Sequence, residues 1–377
     1  MKRQTAYFPA LLTDLCLSIL LTNTAFYSNY LDLSSTFLGE LAALSGGIFV
    51  LLAIPFGKLS DRIERTRVLS ASCILLACIS LTLPFCTRKL HLLIAFSCVG
   101  IGMALFWPAY EAWLADREGG GGLIVRVMTF NLFWSVGITG GPFISGYIYS
   151  PTNPTIPFYI ASGCSLLSWG AISLHTKLHR ENGQRIEAES FDTAAPASQP
   201  TYRQIGRIAN FASWFSLGFL RQVAPKLIPP KTYGNLMLTA GIAQTLMFLE
   251  LGTARSVRWH YRLMPLIGAQ ILALIGFVQI FFIPKAVFWM PAFAMIGVCA
   301  AATYFSSMYY GFHDQIDKGN KSGWHEAILG SGLLLGPYLG GILADSEHGI
   351  KSPYLLCAGV IGISICIEVF IWVRDRR

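Results

Sequence analysis

Stretches of about 20 apolar residues recur along almost the whole chain, and each is long enough to cross a hydrocarbon core of roughly 30 Å. In that solvent a backbone must satisfy its own N–H and C=O groups, which leaves helices packed into bundles. Twelve such stretches are counted, at approximately 7–30, 37–57, 67–86, 91–114, 123–148, 154–176, 204–225, 233–252, 263–284, 287–311, 323–344 and 353–373. Only 13% of residues are charged, against about 25% in an ordinary soluble domain, and 54% are hydrophobic. The reading is an all-α polytopic membrane protein with twelve transmembrane helices. The first stretch carries Asn23, Tyr27 and Asn29 and has no small-residue cleavage pattern, so it reads as a retained helix rather than a signal peptide.

The basic residues set an orientation. With the N-terminus in the cytoplasm, inner segments hold 21 of the 28 Lys and Arg. Only Arg88, Lys89, Arg221, Lys226, Lys231, Lys285 and Lys351 fall on the outer side or at outer helix ends. This inside-positive asymmetry puts both termini in the cytoplasm and the chain in a cell (inner) membrane. It also accounts for the net charge of +8 without a nucleic-acid partner. The nine cysteines show no disulfide framework and no metal-site spacing, so neither a metal nor a cofactor is expected. Between the sixth and seventh stretches the chain turns polar, with Glu181, Glu187, Glu189, Asp192 and a run from Ala194 to Pro200. The expected organisation is a six-helix bundle over 1–177, a cytoplasmic linker over 178–203 and a second bundle over 204–377.

Two landmarks recur at one offset. Gly57 to Arg67 has a degraded copy from Gly252 to Arg262, and Gly137 through Gly141-Pro142 to Gly146 is repeated by Gly332 through Gly336-Pro337 to Gly341. Each copy lies 195 residues downstream, as Gly57 to Gly252 and Gly137 to Gly332 show. A shared offset for two different landmarks indicates duplication, and paired halves around a central site are an architecture of secondary transporters.

On these residues the chain resembles the major facilitator superfamily over essentially its full length. That family's loop between helices 2 and 3 reads Gly-x-Leu-x-Asp-Arg-x-Gly-Arg-x-Arg; Gly57, Leu59, Asp61, Arg62, Arg65 and Arg67 match, and Glu64 replaces the second glycine. Its helix 5 pattern, Gly-x-x-x-Gly-Pro-x-x-Gly-Gly, matches at Gly137, Gly141, Pro142 and Gly146, with Ser145 departing. The helix 11 copy, Gly332, Gly336, Pro337, Gly340 and Gly341, is complete. Glycines four apart share a face and admit a neighbouring backbone, and an internal proline can kink a helix. The resemblance places Gly137, Gly141, Pro142, Gly332, Gly336, Pro337 and Gly340 at the interface of two rocking halves.

The resemblance also implies a cytoplasmic gate of Gly57, Asp61, Arg62, Arg65, Arg67 and Asp116. In it Asp61 would face the start of helix 11, near Ser322 to His325, where unpaired backbone donors favour an anion. Ser256 stands at the equivalent of Asp61, so the second-half latch is degraded. In the family helices 1, 4, 7 and 10 line the cavity. The candidate cavity residues are Asp14, Thr22, Asn23, Tyr27, Trp107, Tyr110, Glu111, Asn131, Trp134, Trp214, Arg221, Tyr304, Ser307, Tyr310 and Glu326. Asp14, Ser18 and Thr22 share one helix face by their spacing. Among the acids within the spans, Asp14, Glu111, Glu250 and Glu326 are singled out, and each costs about 2.5–3.5 kcal/mol at a helix centre unless partnered, hydrated or protonated.

Enzyme signals fail. His325-Glu326 lacks the second histidine of a zinc motif, since Leu329 stands there, and Gly119 to Gly122 lacks the Lys and Ser/Thr of a phosphate-binding loop. Phe96 occupies the helix 4 position where drug–proton antiporters of the family carry Arg, which weakens that reading. The expectation is a non-enzymatic, monomeric transporter of a small organic solute working by alternating access, with a coupled proton as one energy source. The alternatives are a proton-coupled drug or metabolite exporter and a non-transporting membrane sensor or scaffold.

Overall fold

A computed structural model describes residues 4–115, 123–180, 197–253, 258–312 and 318–376. Among them run twelve helices of 18 residues or more: α1 (Phe8–Tyr30), α2 (Ser35–Arg62), α3 (Arg65–Thr82), α4 (Lys89–Ala115), α5 (Leu123–Ile148), α6 (Ile156–Arg180), α7 (Gln199–Gln222), α8 (Pro230–Gly252), α9 (Leu263–Phe282), α10 (Met290–Phe312), α11 (Lys318–Ala344) and α12 (Ser352–Asp375). A single-turn helix, Ala224–Leu227, joins α7 to α8. Local chemistry sets several starts. The Ser34 hydroxyl caps α2 by accepting the Phe37 N–H at 3.0 Å, and a proline sits in the first turn of α1, α7, α8 and α12, where no helical donor is lost.

Ten of the twelve are long and apolar enough to cross a membrane; α7 and α8 are not among them. The reason is plain in α7. It carries Gln199, Arg203, Gln204, Arg207, Asn210, Arg221 and Gln222, and 18 of its 24 residues are buried. Protein, not lipid, surrounds this helix, so its outer face need not be oily.

The first six helices pack among themselves through α1 with α5 and α6, α3 with α4 and α6, and α2 with α4. The last six do so through α7 with α10, α11 and α12, and α9 with α10 and α12. Two long seams join the sets, α2 against α11 and α5 against α8. The 195-residue repeat maps one seam onto the other, because it exchanges α2 with α8 and α5 with α11.

The motif glycines sit differently from the expectation. A Cβ on Gly137 or Gly141 would strike Leu11 or Ser18 of α1, and one on Gly332 or Gly336 would strike the Phe215 backbone of α7. Gly340 meets the Phe219 ring. These five therefore bind helices inside their own six-helix set. The seams between sets use Gly146 against the Pro230 carbonyl, Gly341 against the Ser35 carbonyl, and the carbonyls of Pro142 and Pro337 against Gly234 and Gly39. Helical arithmetic explains the split. Gly146 and Gly341 lie nine residues past Gly137 and Gly332, and at about 100° per residue that is the opposite side of the helix.

Candidate functional site

A cavity lies between the two sets of helices. Its wall takes Asp14, Ser18 and Thr22 from α1, Met103 and Trp107 from α4, Trp134, Ile138 and Pro142 from α5, Trp214, Arg221 and Gln222 from α7, Tyr304 from α10, and Glu326 from α11. Phe49, Leu329 and Leu333 complete it from the α2–α11 seam. The four-residue spacing on α1 does turn Asp14, Ser18 and Thr22 to one side.

Aromatic rings span the cavity from one half to the other. Trp134 and Tyr304 stack at 4.9 Å between centroids with planes 9° apart. Trp214 sits 6.0 Å from each, and the Arg221 guanidinium lies over the Trp214 ring at 5.2 Å. Such ring pairs favour offset stacking or edge contact, worth about 0.5–1.5 kcal/mol each beyond burial. The cavity holds about 60 Å³, room for a few waters, whereas sites for organic ligands run to about 300–1,000 Å³. This is a contracted conformation in which the rings from opposite halves meet.

Charged groups share the wall without neutralising one another directly. Asp14 and Arg221 are both buried, and among the described residues Asp14 Oδ2 and Arg221 Nε and Nη1 have no hydrogen-bond partner. Glu326 is buried on α11 and lies near Glu111 of α4, so two acids face one another across the halves.

Of the cavity residues expected from sequence, Asp14, Thr22, Trp107, Trp134, Trp214, Arg221, Tyr304 and Glu326 come together here. The others have different tasks. Asn23 donates to the Pro154 carbonyl at 3.0 Å and Tyr27 to the Pro84 carbonyl at 3.2 Å, so both tie α1 to loops. Tyr110 donates to the Ala6 carbonyl at 2.7 Å. Ser307 bonds His325 Nδ1 at 3.0 Å, and His325 in turn edges Tyr304 at 5.1 Å. The Tyr310 hydroxyl accepts the Tyr261 N–H at 3.0 Å and holds the α8–α9 connection. Asn131 is fully buried on α5 but does not line the cavity. Gln222 and Met103 were missed, and neither has a sequence signal beyond adjacency to Arg221 and Trp107.

One further acid within the spans, not singled out from the sequence, is held inside the protein. Glu368 of α12 is completely buried, accepting hydrogen bonds at 2.7 Å from Gln270 of α9 and at 2.7 Å from Ser364. It lies inside the second half, away from the cavity.

At the α2–α3 loop Asp61 pairs with Arg65 at 2.9 Å, and Arg67 with Glu64 at 3.3 Å. Asp61 thus engages its own loop, with its side chain 50% exposed. α11 begins at Lys318, earlier than expected, and Asp116 and Ser256 lie outside the described residues. Glu64 caps α3 at φ −55°, so the position where the family pattern has glycine needs no left-handed backbone here.

The opposite face of the bundle is tied across the halves. Asp345, just past α11, accepts hydrogen bonds from the first turn of α2. Lys226 Nζ donates to Asn29 Oδ1 at 2.8 Å, and Tyr147 to Asn235 at 3.1 Å.

Comparison with known proteins agrees with this architecture. The family model described as Major Facilitator Superfamily matches residues 6–322. An uncharacterized MFS-type transporter of Methanocaldococcus jannaschii is 30% identical over 123 residues, which span 32% of this chain and 30% of that protein. The crystal structure of the nucleoside transporter NupG superposes with a TM-score of 0.66 at 12% identity, covering 98% of this chain and 99% of that one. That of the human organic anion transporter MFSD10 gives 0.66 at 14%, covering 97% and 99%. At such identities the two structures speak for the fold. The chain belongs to the major facilitator superfamily.

Proposed function

We propose that this protein is a secondary transporter of a small organic solute, working as a monomer by rocking of its two six-helix halves, 1–177 and 204–377, about the central cavity. The observation that carries the reading is the Trp134–Tyr304 stack, which joins the halves through the cavity itself. Any movement that opens the cavity must part these rings, so access and binding are coupled by construction. The family supports transport, and the inside-positive charge supports a cell-membrane location with both termini in the cytoplasm.

The Glu111–Glu326 contact supports proton coupling. Two neighbouring carboxyls disfavour being charged together, and parting the halves lets water set the protonation of each. The test is flux in liposomes across a range of imposed pH gradients. Transport that follows the gradient, and loses that dependence in Glu111→Gln, supports the coupling. Transport indifferent to the gradient refutes it. Absence of flux for every solute class, from protein that melts cooperatively, refutes the transporter reading.

A further inference from the structure

Resting on the transporter reading, we infer that the central cavity is built for a planar aromatic solute that carries both an anionic and a cationic group. Three independent features of the wall converge on this class.

The first is Arg221. Its guanidinium is buried against the Trp214 ring, yet among the described residues Nε and Nη1 have no hydrogen-bond partner. An unpaired buried cation is costly, and a fork of N–H donors suits a carboxylate or similar anion in two-point contact. The second is Asp14. It too is buried, its Oδ2 is unpartnered, and it stands on α1 while Arg221 stands on α7. The two share the cavity wall and attract one another through it, but among the described residues they form no direct ion pair, so each keeps atoms free for an opposite charge on the solute. The third is the ring set. Trp134 and Tyr304 now cover each other's faces, with Trp107 and Trp214 beside them. When the halves separate, those faces are bared together, and a flat ring entering between them restores the stacking each has lost.

The apolar residues narrow the class further. Leu17, Leu21, Phe49, Ile138, Leu329 and Leu333 make up much of the remaining wall, with Ser18, Thr22, Gln222 and Glu326 as its other polar groups, so a solute dense in hydroxyls would leave several of them unpaired. A solute with one charge would satisfy only one of Asp14 and Arg221.

The experiment measures thermal unfolding of the purified full-length protein in detergent with four probes at equal concentrations. They are L-tryptophan, with ring and both charges; indole-3-propionate, with ring and anion; tryptamine, with ring and cation; and L-alanine, with both charges and no ring. The expected result is stabilisation by L-tryptophan with an apparent Kd at least about tenfold lower than for the other three, since a charged hydrogen bond contributes that much or more. Asp14→Asn should erase the preference over indole-3-propionate, and Arg221→Gln the preference over tryptamine. If either variant fails to fold, the comparison among probes on the wild type still decides.

Indole-3-propionate or tryptamine matching L-tryptophan would show that one charge suffices and would overturn the inference. L-Alanine matching it would remove the role of the rings, and no stabilisation by any probe would overturn it too. Counterflow of radiolabelled L-tryptophan in liposomes separates this idea from the transporter reading. Binding without flux preserves the site chemistry and removes transport; flux of a solute lacking the ring or one charge does the reverse.

Discussion

The Asp345 carboxylate accepts the Thr36 backbone N–H at 2.6 Å and the Thr36 hydroxyl at 2.8 Å, with the Ser35 N–H at 3.2 Å. One residue thereby joins the end of α11 to the start of α2, across the halves. The start of a helix carries unpaired donors and the positive end of its dipole, so a carboxylate is favoured there. The relation inverts the one suggested for Asp61, in which the end of α2 would face the start of α11. The protein closes the face away from its termini by this device.

Replacing Asp345 with Ala should therefore loosen that face. Spin labels at Tyr30 and Leu227 are expected to show a longer, broader distance distribution in the variant than in the wild type. An unchanged distribution would show that the Lys226–Asn29 bond and the seam packing suffice.

The same contact has a pH signature. Burial acts to raise the Asp345 carboxyl, and the hydrogen bonds from Thr36 and Ser35 outweigh it, holding the group below its ordinary value. A group lowered in the closed form stabilises that form above the ordinary carboxylate pKa, near 3.9. The stabilisation is lost as pH falls through the lowered value. The labelled wild type should begin to open on acidification below about pH 4, and Asp345→Asn should show no such step.

Asp61→Asn should separate function from stability. Its bond to Arg65 is an exposed pair four residues apart, worth about 0.3–0.5 kcal/mol, so the melting temperature should barely move. Flux is expected to fall tenfold or more, on the order of 1.4 kcal/mol in barrier, if the acid meets its partner only when the inner face closes. Wild-type flux in this variant would confine Asp61 to its own loop.

Glycine substitutions should divide sharply. Gly336→Ala sets a methyl against the Phe215 carbonyl and should cost about 1–3 kcal/mol, whereas Gly163→Ala and Gly170→Ala on α6 meet nothing within 4 Å and should gain about 0.5–1 kcal/mol of helix preference. Thermal unfolding of the three variants in one detergent checks both signs.

Much of the architecture was legible because lipid imposes a simple rule on outward-facing residues. The rule weakens where protein replaces lipid. Polar α7, enclosed by α10, α11 and α12, counts as an apolar stretch over 204–225 in the sequence yet is not apolar enough as a whole helix to cross a membrane. Asp14, Thr22, Trp107, Trp134, Trp214, Arg221, Tyr304 and Glu326 are legible because the resemblance points to cavity-lining helices and polar or aromatic residues at helical spacing share a face there. Asn23, Tyr27 and Tyr110 were nominated on the same grounds, yet they serve loop and helix-end carbonyls. Residue type reveals that a polar atom needs a partner; it does not reveal whether that partner is a solute or the neighbouring backbone. The glycine stripes were misassigned in direction for a related reason. A spacing of four defines a face but not the helix that covers it.

The Trp134–Tyr304 stack also gives the molecule a built-in optical gauge. An indole held against a phenol and beside acidic groups emits differently once that face meets water, so each opening of the halves carries its own signal. With the other eight tryptophans exchanged for phenylalanine, the emission of Trp134 alone would report the working cycle in an unlabelled bilayer.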